Sequence, residues 1–317
     1  MEDDTLLCDH LKIPHVACLV DPSYRFFNLM HSPYIIMTCD DQFSLQLLRE
    51  RGFKRALFMP HAVESDLSPT LGKERSYEIV MLATLIDCEK RRQHWGKLFS
   101  ANIRKRMEKV VSLALADDTT SFLTFIAQVF SDISLASPLE QTVYQEIELY
   151  IKGKDRLDLI QAIKHHQVHL FGNTPEDTSF ISQTNVVIHP AVTYVEALSI
   201  MQKSKVVLNS GLKNICGAHE RIFSAAACGA VVVTNNNPFL RQHMVNEEDL
   251  ILYRRAHMDK INTTLNTILA DEAKWHQMAS RGRHKVMAHH TWDQRVQKLL
   301  TDLTPIIKKI RIASNQS

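Results

Sequence analysis

Hydrogen-bond donors and small residues are concentrated between residues 206 and 235, where the sequence reads VVLNSGLKNICGAHERIFSAAACGAVVVTN. The polar side chains of this stretch include Asn209, Lys213, His219 and Arg221. Gly217 loosens the connection, and a segment that favours a helix follows at 218–228. Because the free N–H groups at a helix N-terminus attract phosphate, this spacing predicts a site for a diphosphate.

The elements on either side of this stretch can place it at the edge of a sheet. Residues 206–208 form a short β-branched run, and 230–234 form a second one after Gly229, a residue type that often ends helices. Strand, loop, helix and strand in this order are typical of a parallel sheet. The loop then leaves the carboxyl end of the first strand, where open sheets bind ligands.

The same alternation of strands and helices extends over most of the chain. Further apolar runs that predict strands lie at 15–20, 34–39, 55–59, 78–85, 168–171, 186–188 and 250–253. We therefore predict an α/β protein with two Rossmann-like domains built on parallel sheets. The predicted domains are 1–68, which has few strands and is thus shortened, and 77–290. We expect the helix at 291–317 to pack back on the first domain.

Composition and charge argue against several classes of protein. The net charge of +2 over 317 residues does not suit a general nucleic-acid binder. No apolar run approaches the roughly 18–20 residues of a membrane span. The acidic start MEDDTLLCDH lacks a targeting signal, and the six cysteines have no pairwise spacing, so we expect a reduced, cytoplasmic protein.

Motifs of two other kinds are missing from the sequence. Phosphate-loop and dinucleotide glycine motifs are absent, which argues against kinases and nicotinamide dehydrogenases. The histidine pairs at 165–166 and 289–290 have no Cys or carboxylate at ligand spacing. We therefore expect no metal site.

Several segments together resemble GT-B glycosyltransferases. YEIVMLATLIDCEKRR at 77–92 resembles the strand and basic turn that open their second domain, and VHLFGN at 168–173 resembles a later strand with its glycine. The segment 203–237, which contains the predicted diphosphate site, is similar to their donor-site core. GRHKVMAHHTWDQRVQKLL at 282–300 resembles the segment with which the family's second domain ends. MPHAV at 59–63 resembles the segment that these enzymes carry just before the interdomain linker. The combination looks most like the spore-maturation-protein (CgeB-like), family 1-like branch.

The resemblance implies a fold and an activity. In that family the second domain binds a nucleotide-sugar, the first binds the acceptor, and the reaction takes place in the cleft between them. The implied function is therefore metal-independent sugar transfer to an acceptor that the sequence does not identify, with no cofactor beyond the nucleotide-sugar substrate. Basic residues and a helix N-terminus would neutralise the leaving diphosphate.

The resemblance also assigns roles to single residues of the donor helix. The family commonly has Arg-x-Phe-Glu at its start, and this chain reads Arg-Ile-Phe-Ser at 221–224. Ser224 cannot accept from two ribose hydroxyls as a carboxylate does. Glu220 lies one turn earlier and is a carboxylate that can take its place. Ala83 stands where the opening strand usually ends in glycine.

Three further positions have a functional and a purely structural interpretation. Arg91 and Arg92 follow the first strand of the second domain and are predicted phosphate clamps, or else a solvated basic turn. Tyr194 is predicted to stack on the nucleotide base, or else to lie on a helix surface.

An inverting transfer needs a general base beside the acceptor hydroxyl. Asp21, Asp40 and His61 each follow a predicted strand, and Asp21 and His61 are our candidates for this role. Asp40 and Asp41 also suit the N-cap of the helix that comes next.

Three functional hypotheses therefore remain open. The first is a glycosyltransferase, and the second is an inactive module of the same fold that binds a nucleotide or a partner. The third is a nucleotide-sugar epimerase, which shares the architecture but uses no acceptor.

Overall fold

A computed structural model describes residues 6–69, 74–132, 137–181, 184–212 and 214–314. Its first sheet is small and parallel, in the order β1-β2-β3. Its strands are β1 (His15–Cys18), β2 (Ile35–Cys39) and β3 (Ala56–Phe58). β2 is buried along its whole length because it lies between the other two strands.

The second sheet has six parallel strands in the order β6-β5-β4-β7-β8-β9. They are β4 (Tyr77–Leu82), β5 (Val168–Phe171), β6 (Val186–His189), β7 (Ser204–Leu208), β8 (Val231–Asn235) and β9 (Ile251–Tyr253). The order reverses between β4 and β7, which is the point where doubly wound sheets bind ligands. The predicted α/β class with parallel sheets is thus confirmed.

Helices cover both sheets. They are α1 (Leu7–Leu11), α2 (Gln42–Glu50), α3 (Cys88–Leu98), α4 (Ala101–Ala116), α5 (Phe122–Val129), α6 (Ser137–Ala162), α7 (Tyr194–Gln202), α8 (Glu220–Ala227), α9 (Pro238–His243), α10 (Ile261–Leu269), α11 (Glu272–His289) and α12 (Trp292–Ser314). Two 3-10 helices lie at Ser23–His31 and Arg255–Lys260. In the part of the chain that is described, none of the helices combines the length and the apolar character needed to cross a membrane.

The helices α3 to α6, which lie between β4 and β5 in the chain, form a bundle that contacts both domains. Its core of large apolar side chains, such as Met107, Ile126 and Ile147, also includes Tyr24 and Leu47 from the first domain. At the other end of the bundle, Arg255 donates to Asp155 at 2.7 Å and pairs with Asp158. The bundle therefore packs against elements of both domains, and one continuous core includes side chains from each.

The two sheets are also joined by the chain segments around residues 63 and 291. Val63 pairs with Thr291 as a parallel bridge, and Trp292 N donates to Val63 O at 2.8 Å. Arg295 Nε donates to Pro60 O at 3.2 Å. The MPHAV and His-Thr-Trp segments, both noted in the sequence, therefore bind each other.

The C-terminal helix α12 continues from this junction onto the first domain. Leu303 and Ile310 of α12 are buried in the same apolar cluster as Ile36 and Leu48. A second helix therefore covers the small sheet, in addition to α2.

Candidate functional site

The loop after β7 and the start of α8 lie at the carboxyl edge of the six-stranded sheet. His219 is the N-cap of α8, and its Nδ1 accepts from Arg221 N at 3.2 Å. The helix begins at Glu220, two residues after the predicted start at 218. The His219 imidazole caps it there because it satisfies one of the free N–H groups of the first turn.

Arg221 and Asn209 are bonded to each other at this edge. Arg221 Nη1 donates to Asn209 Oδ1 at 3.0 Å, and Asn209 Nδ2 donates to Thr234 Oγ1 at 3.0 Å. Asn209 is fully buried. The amide thus holds the guanidinium in place between the ends of β7 and β8, which makes Asn209 a supporting residue for Arg221.

A cleft of about 360 Å³ opens beside Arg221. Its walls come from the ends of β4 and β5, from the start of α7 and from the first turns of α8. The lining residues include Ala83, Thr84, Phe171, Gly172, Val192, Tyr194, Glu220, Arg221 and Ser224. The volume lies within the range of about 300–1,000 Å³ that is usual for small-molecule sites.

Gly172 makes one wall of this cleft possible. A Cβ at this position would lie 2.1 Å from Ala83 O, so any other residue would push the ends of β4 and β5 apart. Ala83 itself lines the cleft, and its methyl group is accommodated there.

Two cations that the sequence analysis did not identify reach the same edge from α6. Lys152 and Arg156 line a small cavity of about 30 Å³ together with Asn209, Asn214, Asn235 and Asn237. Arg156 is buried and donates to Thr84 O, on the wall of the larger cleft. The two spaces are therefore adjacent, and Arg156 and Arg221 lie at their junction.

Carboxylates compensate the charge of these two arginines only in part. Asp155 and Glu148 act on Arg156, and Glu220 acts on Arg221, but burial has the larger effect on each pKa. Among the described residues, neither guanidinium has a carboxylate within ion-pair distance. Burial lowers the pKa of Arg156 to about 9, with a further contribution from Arg221, and burial lowers the pKa of Arg221 to about 10. Since arginine keeps its proton in proteins, the lowered pKa values mean that both charges are held at a cost, which a bound anion would offset.

Two buried nitrogen donors at this edge also have no hydrogen-bond partner among the described residues. They are Arg156 Nε and Asn235 Nδ2. A buried donor without an acceptor costs about 1–3 kcal/mol. Two such donors lie beside two arginines that form no ion pair within the described part of the chain, an arrangement that suits an oxygen-rich anion.

Ser224, Glu220 and Tyr194 lie together on one wall of the cleft. Ser224 is buried, and its Oγ makes no hydrogen bond of good geometry, although it lies close enough to the Tyr194 hydroxyl to moderate the pKa of that tyrosine. Burial raises the pKa of Tyr194 above its usual value. The Tyr194 hydroxyl donates to Glu64 Oε2 at 3.4 Å, and its ring is 48% exposed at the mouth of the cleft.

The structure separates the two candidate bases of the first domain. His61 is buried, its Nε2 lies 3.3 Å from Asp40 Oδ2, and its ring stacks on that of His219 at 6.0 Å. Asp21 is half-exposed and pairs with Arg25 at 3.7 Å. His61 thus lies beside the start of α8, and its nearest carboxylate is Asp40.

The two predicted phosphate clamps lie on α3 and are bonded to carboxylates. Arg91 donates to Glu146 at 2.5 Å, and Arg92 donates to Glu108 at 2.6 Å. Arg91 lines a separate groove with Lys90 and Lys97. The structure does not bring either arginine to Arg221, and Lys213 lies outside the described residues.

Among the residues that the structure describes, no three or more His, Cys, Asp or Glu side chains are grouped so that they could hold a metal ion. The positive groups that the described residues bring to this edge of the sheet include Lys152, Arg156, Arg221 and the N-terminus of α8.

Comparisons with known proteins bear on both the fold and the site. Residues 156–301 match a family model described as glycosyl transferase-like. This segment begins at Arg156 and contains Tyr194, Asn209, Arg221 and Ser224. No curated protein matches the chain.

Solved structures of glycosyltransferases have the same fold. HepE from Anabaena, solved in complex with UDP-glucose, superposes with a TM-score of 0.56 at 12% identity, covering 92% of this chain and 72% of that one. Sucrose-phosphate synthase from Thermosynechococcus elongatus superposes with a TM-score of 0.50 at 13% identity. That match covers 86% of this chain and 59% of the synthase, so this chain spans less than two thirds of the synthase's length. The chain thus has the GT-B fold, and its part from 156 to 301 is similar to a glycosyl transferase-like family.

Proposed function

We propose that this protein is a glycosyltransferase that moves a sugar from a nucleotide-diphosphate donor to an acceptor. The observation that carries the proposal is the pair of cations, Arg156 and Arg221, which form no ion pair among the described residues and lie at the switch point of the six-stranded sheet. Two positive charges match the two negative charges of a diphosphate ester, and charge-assisted hydrogen bonds to phosphate are among the strong ones. The finer assignment to the spore-maturation-protein (CgeB-like) branch is part of this proposal.

The cleft suits the remaining parts of a nucleotide. Its mouth has the ring of Tyr194, on which a base can stack, and its inner wall has Glu220 and Ser224 near the ribose position. The diphosphate then lies at Arg156, Arg221 and the first N–H groups of α8. These cations stabilise the charge that develops on the leaving diphosphate, so the reaction does not require a metal ion.

His61 is the proposed proton acceptor. Its Nε2 faces Asp40, so Nδ1 is the nitrogen that can take a proton from an acceptor hydroxyl. The Asp40 carboxylate then stabilises the imidazolium that forms.

Thermal-shift measurements with UDP, GDP and dTDP test the donor site. A bound ligand raises the apparent stability by mass action, so we expect one nucleotide to raise Tm. The shift should persist in excess EDTA because the site uses arginines and backbone N–H groups. Loss of the shift in EDTA, restored by Mg²⁺ or Mn²⁺, would contradict the metal-independent mechanism.

Product analysis then separates the three functional hypotheses. A glycosyltransferase releases nucleoside diphosphate from a nucleotide-sugar, slowly to water and faster with an acceptor. The His61→Asn variant should bind the nucleotide and lose the acceptor-dependent rate. A nucleotide-sugar isomer as the product would indicate an epimerase, and binding without turnover would indicate an inactive module.

The Ser224→Glu variant tests the assignment of the ribose position. A glutamate on this wall can accept from both ribose hydroxyls, and a charged hydrogen bond contributes about 1.5–3 kcal/mol. We therefore expect nucleotide binding to tighten by about tenfold or more, measured by isothermal titration.

Ser224→Gln is the matched control because it has the same size and no charge. It should tighten binding much less. If both variants weaken binding, the ribose does not lie at Ser224.

A further inference from the structure

The loop that precedes α8 is held by the first domain. Asp41, directly after β2, accepts from Cys216 N through Oδ2 at 2.7 Å. Gln42 N donates to Cys216 O at 3.0 Å, and Asp41 and Gly217 form an antiparallel bridge. The backbone of the loop is thus hydrogen-bonded to the backbone that directly follows β2 of the first sheet.

This contact requires a glycine. A Cβ on Gly217 would lie 2.0 Å from Asp40 O and 3.0 Å from Asp41 Cα. Both atoms belong to the backbone, so neither can move aside without separating the loop from β2. Gly217 therefore lets the two domains approach more closely than any other residue would allow.

The Asp41 carboxylate has two tasks at once. Oδ1 accepts from Phe43 N at 2.8 Å and from Ser44 N at 3.3 Å, which caps α2, while Oδ2 holds Cys216 N. Burial raises the pKa of Asp41 to about 7. The cost of burying this acid is offset by three N–H donors, two from its own helix and one from the other domain.

The loop held in this way leads directly to the donor helix. His219, the N-cap of α8, is two residues beyond Gly217, and Arg221 follows in the first turn. Asn237 Nδ2 donates to Gly217 O at 2.8 Å and to Asn214 O at 2.7 Å, which fixes the loop from the other side. The position of the first turn of α8 therefore depends on contacts from both domains.

We propose that Asp41 is a positioning residue for the donor: by holding the loop at Cys216 and Gly217, the first domain places Arg221 and the N-terminus of α8 for the diphosphate. The proposal rests on the proposed function, because it concerns the affinity of the same cleft. It adds a role for a residue that touches no part of the donor.

The Asp41→Asn variant separates the two tasks of the side chain. Asparagine keeps one oxygen to cap α2 and presents an NH₂ group, which cannot accept, to Cys216 N. We expect about tenfold weaker binding of the nucleoside diphosphate, within the usual range for coupling between sites. Affinity for the nucleoside without phosphates should fall much less, because the base position at Tyr194 belongs to α7 and not to the first turn of α8. Hydrogen exchange at the amides of Cys216 and Gly217 should become faster.

Gly217→Ala breaks the same contact from the opposite side and leaves the cap of α2 intact. It should reproduce the loss, and the double variant should bind no worse than either single variant, since both remove one contact. Asp271→Asn, at the cap of α11, and Gly96→Ala, on the surface of α3, are the matched controls. Both should bind like the unmodified protein.

A second double variant excludes a general loss of stability. If Asp41 acts through the first turn of α8, its effect should be much smaller when Arg221→Met is already present, because only the backbone N–H groups of that turn then remain to be positioned. A tenfold loss that remains in the Arg221→Met background would overturn the proposal. Unchanged binding in Asp41→Asn and Gly217→Ala would overturn it as well. So would a Cys216 amide that exchanges equally fast in Asp41→Asn and in the unmodified protein. If the unmodified protein binds no nucleoside diphosphate, the proposed function itself fails.

Discussion

Arg156→Met is expected to weaken the binding of a nucleoside diphosphate by about 10- to 100-fold, measured by isothermal titration. The variant removes one of the two cations of the cleft and a charge-assisted bond worth about 1.5–3 kcal/mol. Each 1.4 kcal/mol corresponds to a factor of ten in affinity. Methionine keeps most of the aliphatic stem, so the packing of α6 against β4 is retained. Arg221→Met should have an effect of the same size.

Two controls make this result specific to the diphosphate. The nucleoside without phosphates should bind both variants as it binds the unmodified protein. Arg91→Met removes a guanidinium from the groove on α3 and should leave diphosphate binding unchanged, because Arg91 is bonded to Glu146. The opposite pattern, with a loss at Arg91 and none at Arg156, would place the phosphates at the basic turn after β4.

The second large effect is expected at the junction of the two domains when the pH is lowered. His290 is buried, its ring stacks on Phe223 at 4.5 Å, and its Nδ1 lies 2.6 Å from Arg295 Nη2. Since the guanidinium can only donate, the imidazole must be neutral to accept this bond. Burial, followed by the charge of Arg295, lowers the pKa of His290 to about 3.

Because the folded-state pKa of His290 lies below the unfolded value of about 6.5, the free energy of unfolding must decrease as the pH falls. The stabilisation is complete above pH 6.5 and is lost as the pH falls, by up to roughly 1.4 kcal/mol per pH unit, until the pH approaches 3. Urea unfolding between pH 8 and pH 4.5 measures this loss.

His290→Asn isolates the contribution of this residue from that of the carboxylates. Asparagine still accepts from Arg295 but does not titrate. The free energy of unfolding of the variant should therefore decrease less steeply between pH 6.5 and 4.5 than that of the unmodified protein. It should be less stable than the unmodified protein at pH 8, because the ring stacking is lost. His276→Asn, at an exposed position on α11, should follow the unmodified profile. Equal slopes for all three proteins would show that His290 does not titrate as its contacts imply.

Local sequence patterns were sufficient to predict the elements of the donor side. The run VVL before Asn209, the alanines of α8 and Gly229 after them each act within a few residues, through β-branching, helix propensity and a C-terminal stop. The strands and helix were therefore predicted within about two residues of their observed bounds, the usual uncertainty of element ends. The placement of Asn209, His219 and Arg221 at one edge then follows from the rule that parallel strands present their carboxyl ends together.

The partners of these residues could not be predicted in the same way. Arg156 looks like an ordinary charged residue of a long helix, and Arg91 and Arg92 look like a phosphate-binding turn. Which of them faces the cleft depends on how α3 and α6 pack against each other and against Tyr24 and Leu47, and this is set by contacts between residues far apart in the chain. The same holds for His61, whose neighbours Asp40 and His219 are both distant from it in the chain.

The sequence by itself determined the α/β class, the order of the strands along the chain and the donor-helix motif, because these depend on short-range periodicity and on residue types at fixed spacing. Only the tertiary structure decided which cations meet at the cleft, that Val63 pairs with Thr291, and that Gly217 lies against β2. Those contacts depend on the packing of helices and on the close approach of two backbones, and neither leaves a periodic pattern in the sequence.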